Sequence, residues 1–94
     1  MYKLILATHE MCGHSNSDFK IVNSDKGYEE TMNEIINYDG EAMYKFSHKE
    51  KYEQYGLSGD IFYFDGEFGL LTIVVINFKE IEDLINKEIF ITTG

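Results

Sequence analysis

The segment DIFYFDGEFGLLTIVVIN, residues 60–77, constrains the fold more than any other part of the chain. Two apolar runs flank Asp65-Gly66, and an Asp-Gly pair between apolar runs is typical of a two-residue type I′ hairpin turn. We therefore predict two strands over about 60–64 and 67–76. The second is apolar on both faces, which indicates a position at the centre of a sheet with cover on both sides.

Four other segments have the apolar or alternating character of strands. They are residues 2–8, 19–22, 42–47 and 88–92. The segment MCGHSNS, residues 11–17, collects Gly, Asn and Ser and is interpreted as a loop. Residues 41–56 are ambiguous, because Tyr44, Phe46 and His48 alternate whereas Tyr52 and Tyr55 have helical spacing. We interpret 42–47 as a strand that is followed by a short helix or loop.

Two helices are predicted from apolar spacing and capping residues. The first covers about Asp25–Tyr38, with Ser24 or Asp25 as its cap and Gly40 just past its end. Its apolar face consists of Tyr28, Met32, Ile35 and Ile36. The second begins at Asn77 and Glu80, which form a capping-box pattern. Its inward residues are Phe78, Ile81, Leu84 and Ile85. The predicted fold is a single α+β domain over residues 1–94, with a mainly antiparallel sheet of about five to six strands and two α-helices.

Composition places limits on where such a domain works. The chain has 94 residues and one cysteine, so no internal disulfide holds the fold and no oxidising compartment is needed. The apolar run LLTIVVI, residues 70–76, is far shorter than the ~18 residues that span a bilayer. All eight basic residues are Lys, a preference that follows AT-rich codons. We expect a soluble, cytoplasmic protein from a bacterial cell or a phage-infected host.

Net charge excludes some classes of partner. The formal charge is −9, and the chain has neither Arg nor a basic patch. Direct binding to nucleic acid or to an anionic membrane is therefore not expected, because both would be repelled. An acidic protein of this kind attracts basic protein surfaces instead.

The stretch THEMCGHS, residues 8–15, holds the only cysteine and two of the three histidines. His9, Cys12 and His14 are residue types that bind zinc or another soft metal, with Glu10 or His48 as a possible fourth ligand. Alternatively, His9 or His14 activates Cys12 as a nucleophile. The spacing lacks a paired CxxC, and no orienting carboxylate or oxyanion hole is evident. We favour a polar surface loop, and we expect no cofactor.

Acidic residues are unevenly placed along the chain. Between residues 27 and 44 there are five acids and no Lys, and two more acids lie at the predicted hairpin tip. The first group is Glu29, Glu30, Glu34, Asp39 and Glu41, and the tip carries Asp65 and Glu67. Tyr38 and other interspersed tyrosines have the character of interface anchors. Either these acids form a solvated surface that keeps the protein soluble, or they form a surface that docks on a basic groove.

These features predict a non-enzymatic binding protein, an inhibitor that occupies a basic, nucleic-acid-binding surface of a partner protein. Phage anti-defence proteins, anti-CRISPR proteins among them, and nuclease immunity proteins share this size and acidity. One alternative is a metal-binding or thiol enzyme module built on His9, Cys12 and His14. Another is a structural or assembly protein that associates with copies of itself through sheet edges.

Overall fold

The structure is a computed structural model that describes residues 1–11, 13–38, 41–42, 44–67, 69–80 and 82. Its elements, in chain order, are β1 (Tyr2–Met11), β2 (His14–Val22), α1 (Asp25–Ile36), β3 (Asn37–Tyr38), β4 (Glu41–Ala42), β5 (Tyr44–Gln54), β6 (Leu57–Gly66) and β7 (Gly69–Phe78). Five strands form one sheet in the order β2-β1-β7-β6-β5, and β3 pairs with β4 in a separate two-stranded sheet. All of these pairings are antiparallel.

The sheet buries apolar side chains on both faces because the middle of β1, residues 4–7, and the middle of β7, residues 73–76, are apolar at consecutive positions. Strand β7 lies between β1 and β6, which confirms the predicted central position. One face packs against α1, and we call it the helix face. Its buried residues are Ile5, Ala7, Val22, Met32, Phe64, Leu71, Ile73 and Val75. The buried residues of the opposite face are Leu4, Leu6, Tyr52, Ile76 and Phe78.

Helix α1 begins as predicted, at a serine cap. The Ser24 hydroxyl accepts a hydrogen bond from the Gly27 backbone N–H at 3.0 Å, which satisfies one N–H that the first turn leaves without a partner. The predicted apolar face is confirmed, since Met32 is buried in the core and Tyr28, Ile35 and Ile36 pack around it. The helix ends at Ile36, two residues before the predicted end, because Asn37 already has extended backbone geometry.

The prediction of a type I′ turn at Asp65-Gly66 is wrong. Strand β6 continues through Asp65, which pairs with Leu70, to Gly66, and β7 begins at Gly69, so the connection is residues 67–68. Gly66 serves a close approach instead, because a Cβ at this position would lie 2.8 Å from the Tyr44 ring. The two consecutive positive φ angles of a type I′ turn occur at Tyr55 (56°) and Gly56 (75°), between β5 and β6.

The predicted loop over 11–17 is also wrong in most of its length. Strand β1 continues to Met11, β2 begins at His14, and these two residues face each other across a two-residue connection. The first half of β2 is polar and exposed. Strand β2 is an outer strand, held by backbone hydrogen bonds to β1 on one edge. Its side chains need not be buried, so polar residues that favour loops are tolerated there.

The helix or loop predicted after residue 47 is a continuation of strand β5. His48 pairs with Tyr63, and Tyr52 pairs with Gly59. A β-bulge between Phe46 and His48 shifts the register, so the alternation of the first half does not continue in the second. The spacing of Tyr52 and Tyr55 imitates a helix only because Tyr52 is in the strand and Tyr55 is in the turn.

The predicted start of the second helix is wrong as well. Asn77 and Phe78 are the last residues of β7, and the Asn77 side chain bonds to Lys3 and to the Ser58 carbonyl rather than capping a helix. No second helix is seen in the described part of the chain, so the α+β label fits only loosely. Ile81, residues 83–87 and the strand predicted over 88–92 lie outside the described residues. Of the residues that are described, no helix is long and apolar enough to cross a membrane.

Candidate functional site

The solvent side of α1 presents carboxylates, and we call it the acidic face of α1. It consists of Asp25, Glu29, Glu30 and Glu34, all exposed. One lysine contacts it, with 4.0 Å between the Lys26 Nζ and the Glu30 Oε1. Both side chains of that pair are well exposed, so water and salt screen the contact and it contributes little to stability.

Two of these carboxylates lie where they disfavour the helix. Glu30 and Glu34 are four residues apart on one side of the helix, and like charges at this spacing repel. Glu34 is close to the C-terminal end, where the helix dipole disfavours a negative charge, and the last turn has no basic residue. These carboxylates therefore lower the stability of α1, so helix formation does not explain their presence.

The buried side of α1 holds the acidic face in a defined position. Tyr28 packs against the core, and the Lys3 Nζ lies 5.3 Å from the centre of its ring in a cation–π contact. Burial, followed by the charge of Asp60, raises the pKa of the Tyr28 hydroxyl. Thr31 and Met32 are buried one turn later. The helix is therefore anchored along its length.

A small cavity of about 150 Å³ lies beside the acidic face, between α1 and the first two strands. Glu34 lines this cavity together with Asp18 and Lys20 of β2. Lys20 is the lysine among the residues that line this cavity, and the described ion pairs do not include one between Lys20 and Glu34.

The structure separates the predicted hairpin tip from α1. Asp65 pairs with Leu70 and Lys45, and its side chain points to the face opposite the helix face because its neighbour Phe64 belongs to the helix-face core. Glu67 is exposed in the connection that follows β6. The sheet therefore stands between Asp65 and the acidic face of α1.

The remaining predicted contact residues follow the helix. Tyr38 and Glu41 face each other in the two-stranded sheet of β3 and β4. Asp39 lies outside the described residues. Of the other tyrosines considered as anchors, Tyr52 is buried in the core and Tyr55 is 46% exposed in its turn. Burial, with a smaller effect of Tyr55, raises the pKa of the Tyr52 hydroxyl.

Strand β5 also carries acids, and each of them has a hydrogen-bond partner on this strand or on the neighbouring strand β6. The Lys51 Nζ lies 2.8 Å from the Glu53 Oε1, and this hydrogen bond raises the pKa of Lys51 and lowers that of Glu53. His48 stacks on Tyr63 with 4.4 Å between ring centres, and Tyr63 donates a hydrogen bond to Glu50. The contrast with α1 was not evident from the sequence, because residues 48–54 were not recognised as a strand.

The predicted histidine–cysteine cluster is only partly visible. His9 lies on the helix face, where its Nδ1 is 3.1 Å from the Tyr44 hydroxyl, and His14 begins β2. Cys12 lies outside the described residues, so the thiol hypothesis stays a prediction. Across the positions that the structure does describe, no group of three or more His, Cys, Asp or Glu side chains is placed to hold a metal ion.

Comparisons with known proteins do not identify the chain. No protein-family model, no curated protein and no solved structure matches it at a significant level.

Proposed function

We propose that this protein is a non-enzymatic binding protein whose acidic α1 face docks on a basic surface of a partner protein. The observation that carries the proposal is the contrast within the molecule. The acids of β5 have lysine, histidine or tyrosine partners, whereas the described part of the chain gives the α1 carboxylates one weak contact, between Lys26 and Glu30. The charge of α1 is therefore available to an external cation.

A basic site that normally holds nucleic acid is a suitable partner. Lys and Arg side chains that bind phosphates also bind carboxylates, and charge complementarity accelerates such encounters. Glu30 and Glu34 are separated by an axial rise of about 6 Å, so they present a row of anions along the helix. We therefore propose that the protein inhibits a nucleic-acid-handling enzyme by occupying its basic groove.

The position of Asp65 and Glu67 limits how the partner contacts them. Because the sheet stands between Asp65 and α1, a partner must reach around the end of the sheet to contact both. We propose α1 as the main contact, with Tyr38 and Glu41 continuing it and with Asp65 and Glu67 contributing only to a partner that encloses the sheet end.

The experiment is a binding and competition assay against a defined panel of nucleases, polymerases and RNA-guided effector complexes. We expect at least one enzyme to bind at low salt, to bind less tightly as salt is raised, and to release the protein when duplex DNA is added. Failure to bind any panel member, or binding that DNA does not disturb, would contradict the proposed mode.

Two variants with equal net charge give the matched control. The α1 variant carries Glu29→Gln, Glu30→Gln and Glu34→Gln, and the control variant carries Glu10→Gln, Glu50→Gln and Glu53→Gln. We expect the α1 variant to lose most of the affinity and the control variant to keep it. Equal losses would show that overall charge, rather than the acidic face of α1, governs binding.

A further inference from the structure

The face of the sheet that α1 does not cover is buried as deeply as the helix face. Leu4 is 0% exposed, Ile76 is 1% exposed and Phe78 is 2% exposed, all on the strands at the middle of the sheet. These three residues belong to one apolar cluster, which we call the opposite face. Its other members are Leu6 and Tyr52, with Tyr2, Ile21, Leu57, Ile61 and Val74 packed around them.

A single layer of sheet does not bury its own side chains to this extent. Side chains stand roughly perpendicular to a sheet, and neighbouring strands about 4.7–4.9 Å apart shield the sides of a side chain but not its tip. Tyr52 shows the difficulty best, because β5 is an outer strand of the sheet and Tyr52 is nevertheless only 9% exposed. Other atoms must therefore lie over the opposite face.

The described elements do not supply this cover. Helix α1 packs on the helix face, and β3, which contacts α1, pairs with β4 in a separate two-stranded sheet. The opposite-face side chains are buried within one chain, so a second copy is not needed to cover them. The cover must therefore come from a part of the same chain other than these elements.

The C-terminal residues have the composition and the length for this role. Residues 83–94, DLINKEIFITTG, contain five large apolar side chains and one Lys. Five strands about 4.8 Å apart make a face about 19 Å wide. Twelve residues reach about 18 Å as a helix and about 40 Å as an extended chain, so they span this width in either conformation.

The described chain also leads to this face. Strand β7 ends at Phe78, which is a buried member of the opposite face, and the Tyr2 ring stacks on it with 5.3 Å between ring centres. Residues 83–94 therefore follow within a few residues of the cluster that needs cover. The opposite face has no carboxylate or amine among its members, so it suits an apolar segment.

We propose that the opposite face is the docking site of residues 83–94 of the same chain. The side chains available to pack on it are Leu84, Ile85, Ile89, Phe90 and Ile91. A second copy is a poorer occupant, because each chain carries a net charge of −9 and two such chains repel. The sheet separates this site from the acidic face of α1, so the proposal does not depend on the proposed function.

The experiment is a methyl NOE spectrum of the full chain with labelled Ile, Leu and Val methyl groups. We expect the methyls of Leu4 and Ile76 to show NOEs to methyls of residues 84–91. The methyls of Ile5 and Ile73, on the helix face, are the control and should show none. A mixture of differently labelled chains detects contacts with a second copy. The proposal is overturned if residues 84–91 show no NOE to the opposite face, if they contact Ile5 or Ile73 instead, or if the NOEs join different chains.

Substitutions within the segment give a second readout. One variant replaces the five apolar residues of 83–94 with Ser, and the control variant carries Asn86→Ser, Thr92→Ser and Thr93→Ser. We expect the first variant to unfold at a lower urea concentration than the parent and to bind an apolar fluorescent dye, because its opposite face is open to water. The control variant should behave as the parent does. A first variant with the parent's urea midpoint and no dye binding would also overturn the proposal.

Discussion

Tyr55 has an unfavourable backbone conformation that its turn requires. It is the one non-glycine residue with positive φ in the described part of the chain, and its neighbour Gly56 also has positive φ. A left-handed conformation costs most L-residues roughly 1–2 kcal/mol, whereas Asn tolerates it. The sheet imposes this conformation because only a primed two-residue turn matches the twist of the β5–β6 hairpin.

Replacing Tyr55 with Asn should therefore stabilise the protein. We expect Tyr55→Asn to raise the free energy of unfolding by about 0.5–1 kcal/mol, measured by urea denaturation. Tyr55→Phe keeps the bulky side chain and should change stability little. A loss of stability in Tyr55→Asn, or an equal gain in Tyr55→Phe, would show that backbone conformation is not the cause.

Gly59 is a second position where the backbone excludes a side chain. A Cβ at Gly59 would overlap the backbone carbonyl oxygen of Val75 on the neighbouring strand. Because Val75 is in the buried core, neither strand can move without disturbing the packing. Gly59 is therefore required by the close approach of β6 and β7.

We expect Gly59→Ala to lower the free energy of unfolding by about 2–3 kcal/mol, at the upper end of what overpacking costs, because the clash is with backbone rather than with a side chain that can move. Gly27→Ala is the matched control, since Gly27 is in the helix and its nearest neighbour would be the Ser24 hydroxyl at 3.0 Å. Its effect should stay within about 1 kcal/mol. Chemical denaturation of both variants provides the comparison, and similar losses would contradict the assigned role of Gly59.

At the scale of elements, helix α1 has consistent packing but unfavourable electrostatics. Its serine cap and its apolar face agree with the sequence pattern. The negative charge of Asp25 in the first turn is favoured by the helix dipole, whereas that of Glu34 near the C-terminal end is disfavoured. Removing an acid from the two ends should therefore have opposite effects on stability.

We expect Glu34→Gln to raise the free energy of unfolding by about 0.3–0.5 kcal/mol, because it removes both the dipole conflict and the repulsion from Glu30. Asp25→Asn, in the first turn, should lower it by a similar amount. Thermal denaturation at low salt measures both. If both variants shift in the same direction, the helix dipole is not the dominant effect.

The elements that sequence analysis predicted well are those whose signals are local. Helix α1 has a continuous pattern and clear flanking residues, and strands β6 and β7 each have a continuous apolar pattern, although the turn between them was misplaced. Strand β5 was only half predicted, because the bulge at Ser47 changes which side chains share a face, and a bulge has no reliable local signal. Strand β2 was shortened because its polar half is stabilised by pairing with β1, a contact that composition cannot reveal.

The candidate site was predicted unevenly for a related reason. The sequence shows directly that the apolar residues of α1 recur at helical spacing. The side of the helix away from them is therefore expected to be exposed, and it carries Glu29, Glu30 and Glu34. Separation of Asp65 from α1 depends on which face of the sheet the helix covers, and that requires the topology. The association of His9 with Tyr44 joins strands that are not adjacent in the sheet, so no spacing rule could predict it.

At the scale of the whole molecule, three tyrosines that lose solvent contact on folding make stability depend on alkaline pH. Burial is the largest cause of the raised pKa of the Tyr28, Tyr52 and Tyr63 hydroxyls. The folded state keeps these protons at a pH where the unfolded chain, with an ordinary tyrosine pKa of about 10, has lost them. Unfolding then releases protons, so rising pH favours the unfolded state.

We expect the free energy of unfolding to fall as pH rises above about 10, with a smaller fall in Tyr28→Phe. The raised pKa of Lys51 acts in the same direction, because its pairing with Glu53 is lost when the amine loses its proton. Urea denaturation at several pH values, with phenolate absorbance as a second readout, measures the effect. Constant stability between pH 8 and 11 would contradict it.

The charge of the whole molecule is the basis of the proposed function. An excess of carboxylates repels nucleic acid but attracts the proteins that bind it, and only those carboxylates without internal partners contribute fully to such attraction. On this account, the sheet is a support that holds α1 in place and β5 is electrically almost neutral. Binding should therefore be localised on one element rather than spread over the surface.

The most direct test is a map of backbone amide resonances of the ¹⁵N-labelled protein on addition of a Lys/Arg-rich nucleic-acid-binding partner at low salt. We predict that the perturbed amides are concentrated in residues 25–38. The perturbation should disappear in the Glu29, Glu30 and Glu34 variant and persist in the control variant of equal net charge. Perturbations spread evenly over the surface, or confined to β5, would contradict the account.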